Sequence, residues 1–219
     1  MINGNWNEIH IKIQNEIKNI FINYNFDELS KYEIRKVIFY YLCNNLKYDY
    51  SLYEKIRKFN ISIKKGLINK DNVLVRNPYL ELKNVIDNNI GICNSISQYY
   101  KLLLEEVGIK SYCVICDDGT LVNHQLNMVY DEEKDTYSFD DITNVIVGSG
   151  DLSTFFDYDL ETANSLNQGN KEILDDNKWV ILEEEYISYL VGKESPKYKT
   201  IDKLPSNISM VKQNNSYHI

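Results

Sequence analysis

The sequence lacks the motifs that carry several common chemistries. It contains no Gly-rich loop for a dinucleotide or a phosphate chain and no Gly-x-Ser-x-Gly elbow, which excludes dehydrogenases, kinases and α/β-hydrolases. Its acidic runs at 117–118, 131–133 and 183–185 are contiguous, without the alternating spacing and central Gly of a calcium loop. We therefore expect no metal and no cofactor, and interpret these runs as solvated turns and a helix face.

An excess of positive charge and long apolar runs are absent too. The formal net charge is −8, whereas nucleic acids and anionic membranes select clustered Lys and Arg. No apolar run approaches the roughly 18 to 20 residues that span a bilayer. The residues after Met1 show neither the basic start nor the apolar run of a signal peptide. We expect a cytoplasmic chain with no nucleic-acid or membrane partner, and the sequence leaves its oligomeric state open.

The four cysteines, Cys43, Cys93, Cys113 and Cys116, are too few for a disulfide framework in a chain of 219 residues. The spacing of Cys113 and Cys116 occurs in redox and zinc motifs. However, the helix-opening turn of a redox pair and the second Cys or His pair of a zinc knuckle are both missing. The segment 110–116 is rich in β-forming residues, and a spacing of three places the two thiols on opposite faces of a strand. We interpret both as small buried strand residues.

Length and periodicity predict a single α+β domain over residues 1–219. Apolar residues at helical spacing predict two or three helices in an N-terminal part over 1–60, with Asp27 and Ser30 as candidate caps. Residues 60–77 are expected to form a loop with a short strand at 73–75. A second loop with a short helix or strand is expected over 149–170.

The C-terminal part gives weaker signals. Trp179, Leu182 and Tyr186 recur at helical spacing, which predicts a helix over 178–191 that Gly192 ends. The tail over 195–219 is rich in Asn and Ser, and we expect it to be flexible or to wrap around the surface.

The clearest predicted element is a helix that follows Cys93. Gly108 supplies the left-handed residue that ends it. Cys93 falls in or just before its first turn, where the partial positive charge of free N–H groups favours thiolate over thiol. Gly91 allows the backbone to approach closely at this point. The apolar stripe of the helix consists of Ile96, Tyr99, Tyr100, Leu103, Leu104 and Val107.

Two strands with readable alternation come next. His124 falls on the apolar face of the first strand, and Asn123, Gln125 and Asn127 form the other face. In the second strand the apolar face continues to Asp141. A hairpin with one buried face therefore places Asp141, rather than the adjacent Asp140, beside His124, and a turn of four or five residues sets the two nearly opposite each other.

Cys93, His124 and Asp141 are thus the candidate catalytic residues. They supply a sulfur at a helix N-terminus, an imidazole that can take its proton, and a carboxylate that can orient the imidazole. His10 and His218 lie near the termini without a carboxylate context, and we interpret them as surface residues.

These residues lie within a longer pattern. It consists of Gly-Ile-Cys at 91–93, Gly-Ile at 108–109, His-Gln-Leu-Asn-Met-Val at 124–129 and Tyr-Ser-Phe-Asp-Asp-Ile-Thr at 137–143. The pattern resembles the transglutaminase-like superfamily of papain-like cysteine enzymes, over residues 46–145 at most. Leu126 replaces an aromatic residue of the family pattern, and Ile142 replaces a proline. Neither position takes part in proton transfer, so the three candidate catalytic residues are unaffected.

The resemblance implies a papain-like core at 85–145, in which the catalytic helix packs on an antiparallel β-sheet with additional N-terminal helices. It implies that Cys93 is the nucleophile, His124 the acid and base, and Asp141 the orienting carboxylate. Tyr48 is a candidate second oxyanion donor by position alone.

Three functions follow for this core. The first is a cysteine protease or amidase acting on a peptide or protein, the second a transglutaminase, and the third an idle binding module of the same fold. We favour hydrolysis, because water is the default acceptor and nothing in the sequence indicates an amine site.

Overall fold

The computed structural model describes residues 5–67, 77–116, 124–159 and 161–163, together with the backbone of 179–183 and 208–212. Helices and strands are mixed along the chain, as the α+β prediction requires. The helices are α1 (Trp6–Ile20), α2 (Lys31–Asn45), α3 (Tyr50–Lys64), α4 (Pro78–Asn88), α5 (Cys93–Glu106) and α6 (Ile142–Ile146). The strands are β1 (Lys47–Tyr48), β2 (Ile90–Gly91), β3 (Ser111–Cys116), β4 (His124–Asp131), β5 (Thr136–Asp140), β6 (Trp179–Glu183) and β7 (Ile208–Lys212).

Capping explains where the N-terminal helices begin. Ser30 caps α2 in a reciprocal box: its Oγ accepts from the Glu33 N–H at 3.2 Å, and Glu33 Oε2 accepts from the Ser30 N–H at 2.8 Å. Asp27, the other candidate cap, lies inside a short 3₁₀ turn. The helical N-terminal part is thus present in the described residues. It is longer than predicted, because α3 continues through the first residues of the expected loop, and positions 73–75 lie outside the described residues.

The main sheet has the strand order β5-β4-β3-β6-β7. The pairs β5–β4, β4–β3 and β3–β6 are antiparallel, whereas β6 and β7 are parallel. The predicted antiparallel sheet is therefore correct for four strands and not for the fifth. A separate parallel pair, β1 with β2, holds Tyr48 opposite Gly91, immediately before α5.

Two predictions for the C-terminal part need correction. The segment 179–183 is a strand paired with β3, and not the beginning of a helix over 178–191. Trp179, Val180, Ile181 and Leu182 form a continuous apolar run, which is typical of an interior strand, and the helical spacing was coincidental. Within the predicted flexible tail, 208–212 is a sheet strand. The remaining positions of 184–207 and 213–219 lie outside the described residues.

The core lies on both sides of the sheet. A large cluster joins α1, α2, α4 and α5, and includes Ile38, Leu82 and Leu103. A smaller cluster joins Leu126, Met128 and Phe139 on the other face with residues of the 155–163 segment. The helix that carries Cys93 is thus fixed between other helices and the sheet. Within the described part of the chain, no helix is both long and apolar enough to cross a bilayer.

Candidate active site

Cys93 is the first residue of α5, as predicted, and its residue exposure is 8%. The preceding Gly91 packs tightly: a Cβ there would lie 2.2 Å from Val85 Cγ2 and 2.7 Å from Ser95 Oγ. A larger residue at position 91 would push α4 and α5 apart. The close approach predicted at Gly91 is therefore made with side chains of α4 and α5. This packing holds in place the end of α5 that carries the thiol.

His124 lies between the thiol and a carboxylate. It is the first residue of β4, opposite Cys116 of β3, and its side chain is 20% exposed. Its Nε2 is 2.7 Å from Asp141 Oδ2. Cys93 and the imidazole are close enough for each group to shift the pKa of the other. Because Nε2 faces Asp141, Nδ1 is the ring nitrogen left for the sulfur.

Asp141 reaches His124 across a diagonal of the hairpin. The β4–β5 register pairs Asp131 with Thr136 around a four-residue turn, and its last pair is Asn127 with Asp140. Continued by one residue, that register would set Asp141 opposite Leu126. The prediction that Asp141 and His124 lie nearly opposite is therefore wrong by two residues. The side chains still meet, because diagonal neighbours in a ladder remain within reach.

Hydrogen bonds hold the Asp141 carboxylate from several sides. It caps α6, with Oδ1 accepting from the Asn144 N–H at 3.0 Å and Oδ2 accepting from Asn144 Nδ2 at 2.8 Å. The Asp141 N–H donates to the Phe155 carbonyl at 2.9 Å. Asn144 was not predicted as a site residue. Its signal in the sequence is the spacing of three from a helix-capping Asp.

The neighbouring Asp140 belongs to a different network, on the helical side of the sheet. Its two oxygens each lie 2.7 Å from the Arg35 guanidinium, and Tyr100 Oη donates to Oδ2 at 2.7 Å. The Asp157 N–H donates to Oδ1 at 2.9 Å. Arg35 and Asp140 are almost completely buried. The two adjacent carboxylates thus have separate partners, and Arg35 was not singled out from the sequence.

The contacts around His124 shift two pKa values in opposite directions. Burial alone would raise the pKa of Cys93. The hydrogen bond and charge of His124, together with the Gln125 N–H, outweigh burial and lower the pKa. Burial alone would lower the pKa of His124, but Asp141 and Cys93 raise it well above its ordinary value. Both directions favour a thiolate beside an imidazolium.

The other described thiols have different surroundings. Burial, with the charges of Asp140 and Asp141, raises the pKa of the Cys43 thiol. Cys113 is almost completely buried within β3, as predicted for a small strand residue. Cys116 ends the same strand, and its side chain lies outside the described residues.

We expect selective labelling of Cys93. Iodoacetamide should alkylate it well below the ordinary thiol pKa of about 8.5, because the thiolate persists until the pH falls below its lowered pKa. His124→Ala should move this labelling to higher pH, since the imidazolium that stabilises the thiolate is lost. Peptide mapping of protein labelled at a series of pH values measures both effects. Equal labelling of Cys113 in the native protein at low pH would contradict the assignment.

Tyr48 is paired with Gly91, two residues before Cys93. Burial raises the pKa of its hydroxyl, and the charge of Cys93 raises it further. Its ring contacts the rings of Tyr50 and Tyr53, with centroids 5.1 and 5.9 Å away. The predicted candidate therefore lies in an aromatic cluster at the beginning of α3.

His10, predicted to be a surface residue, is partly exposed and lies 3.7 Å from Glu106, whereas His218 lies outside the described residues. In the part of the chain that the structure describes, no group of three or more His, Cys, Asp or Glu side chains is arranged to hold a metal ion.

Comparison with known proteins gives matches among solved structures alone. The chain matches no protein-family model and no curated protein sequence. Five solved chains match it. One of them, described as "Crystal structure of a TGase", has 16% sequence identity and a TM-score of 0.48, over 93% of this chain and 43% of that chain. This chain thus spans less than half the length of that protein.

Proposed function

We propose that the chain is a cysteine-dependent acyl-transfer enzyme, built as a single transglutaminase-like domain and acting on amide bonds of a peptide or protein. One observation carries the proposal: the His124 imidazole is hydrogen-bonded to Asp141 and lies near enough to Cys93, the first residue of α5, for each to shift the pKa of the other. A thiol, an imidazole and a carboxylate in this order are the parts that a nucleophilic cysteine needs. The motif order along the sequence supports the same family.

The first half-reaction forms an acyl-enzyme. The Cys93 thiolate attacks the amide carbonyl carbon, and the carbonyl electron pair moves onto oxygen. Cys93 is the first residue of α5, so its backbone N–H has no acceptor within the helix, and we assign it to the oxyanion. Tyr48 is the candidate second donor. His124 then gives its proton to the leaving nitrogen as the carbon–nitrogen bond breaks, which leaves a thioester on Cys93.

The second half-reaction regenerates the thiol. His124, now neutral, accepts a proton from the incoming nucleophile, which attacks the thioester carbonyl and expels the Cys93 sulfur. Asp141, itself held by Asn144, keeps the imidazole in the tautomer that can perform both proton transfers. Water as the nucleophile makes the chain a protease or amidase. A primary amine makes it a transglutaminase.

We favour hydrolysis, with amine transfer as the second candidate. Incubation with glutamine-containing peptides, with and without an added primary amine, separates them by mass spectrometry. Deamidated or cleaved peptide without amine identifies a hydrolase, and amine incorporated at the expense of hydrolysis identifies a transglutaminase. An idle binding module would give neither product and would not label selectively at Cys93.

A further inference from the structure

A buried polar interface lies between α5 and β4. It is formed by the face of β4 that the alternation of the sequence predicted to be polar. Asn127 and Gln125 point from β4 towards α5 and are 2% and 3% exposed. Asn127 Nδ2 donates to the Ser97 carbonyl at 2.9 Å, and Gln125 Nε2 donates to Ser97 Oγ at 2.7 Å. Buried amides are costly unless they are paired, so this interface depends on hydrogen-bond geometry.

One bond in this interface joins the neighbours of the two reactive residues. Asn94 follows Cys93 on α5, and Gln125 follows His124 on β4. Asn94 Nδ2 donates to Gln125 Oε1 at 2.8 Å, and Gln125 Nε2 donates back to the Asn94 carbonyl at 3.4 Å. The helix and strand are thus tied together one residue beyond the thiol and one residue beyond the imidazole. Apolar contacts are non-directional and would let the two elements slide.

The geometry points to Asn94 and Gln125 as a positioning pair that sets the Cys93–His124 contact. This inference rests on the proposed function, because it assigns the pair a role in the same site. The Gln125 backbone N–H also helps to lower the pKa of Cys93. Gln98 supports the pair, since its Nε2 donates to Asn94 Oδ1 at 3.2 Å.

The test compares three variants of the full chain with a matched control. Asn94→Leu, Gln125→Met and the double variant remove the bond with similar side-chain volume. Asn127→Leu removes an equally buried amide from the same interface, but one tied to Ser97 and not to the neighbour of Cys93. Iodoacetamide labelling of Cys93 is followed against pH, because this readout needs no substrate.

We expect each single variant to label Cys93 about tenfold more slowly at neutral pH, since a displacement of about an ångström at a reacting pair has effects of this size or larger. The double variant should be no slower than the slower single variant, because the same bond is lost. At a pH above the ordinary thiol pKa, all rates should converge, since the thiolate then forms without help from His124. Asn127→Leu should label at the native rate.

Two results would overturn the inference: native labelling rates in Asn94→Leu and Gln125→Met, or an equal slowing in Asn127→Leu. If Gln125→Met does not fold, Asn94→Leu at the outer edge of the interface decides the outcome against Asn127→Leu. Failure of the proposed function has a different signature. In that case Cys93 of the native protein would label no faster than Cys113.

Discussion

Cys93→Ala and His124→Ala should each lower the turnover of a glutamine-containing peptide by about 10⁶-fold. Removing a nucleophile or its base removes the covalent path entirely, and losses of this size are known for residues that act as a unit. Asp141→Asn should cost less, about 10⁴-fold, because the imidazole remains but loses the carboxylate that fixes its tautomer. Turnover is measured by mass spectrometry on variants whose circular dichroism matches that of the native protein.

Cys113→Ala is the matched control for the cysteine variant. It removes another almost completely buried thiol, on β3 of the same sheet, without touching His124. It should retain native turnover. Activity that survives in Cys93→Ala, or that disappears equally in Cys113→Ala, would show that the chemistry lies elsewhere.

Asp140→Ala should lower the free energy of unfolding by about 3 to 5 kcal/mol, the usual cost of removing one partner of a buried ion pair. The change leaves the Arg35 guanidinium without its bidentate partner and removes the acceptor of Tyr100 Oη. Arg35→Met should cost a similar amount. The double variant Arg35→Met with Asp140→Leu should recover part of the lost free energy of unfolding. Each single variant leaves one buried charge without this partner, and the double variant replaces both charges by apolar side chains.

Urea unfolding measures these differences, with Arg57→Ala as the control. Arg57 pairs with Glu54 at 3.2 Å on the exposed face of α3, so its loss should cost less than about 1 kcal/mol.

Asp141→Asn should change activity far more than Asp140→Asn does. If Asp140→Asn instead abolishes turnover without loss of stability, while Asp141→Asn has no effect on activity, the assignment of the two carboxylates is reversed.

Local rules account for the parts of the site that the sequence predicted. The α5 helix begins at Cys93 and ends before Gly108, whose positive φ of 74° is the expected left-handed stop. Strand alternation separated Asp141 from Asp140, because a shift of one residue moves a side chain to the other face. Each of these predictions needs only the residues of one helix or one strand.

Contacts between distant elements could not be predicted in the same way. Arg35 lies 105 positions before Asp140, and nothing in the periodicity of α2 indicates a partner on β5. The polar face of β4 was interpreted by alternation alone, which cannot tell solvent from a hydrogen-bonded interface with α5. The diagonal approach of Asp141 to His124 depends on where the ladder stops. For β6, the spacing of apolar residues fitted a helix as well as a strand, and only the pairing with β3 shows that the segment is a strand.

The protonation state of His124 is the most direct test of the central claim, that Cys93 and His124 form a thiolate–imidazolium pair. The chain has only three histidines, so their imidazole signals can be resolved by NMR and followed against pH. His124 should stay protonated well above the ordinary histidine pKa of about 6.5, because Asp141 and the Cys93 thiolate stabilise its charge. In Cys93→Ala its pKa should fall. A His124 that titrates at the ordinary value and does not respond to Cys93→Ala would contradict the account.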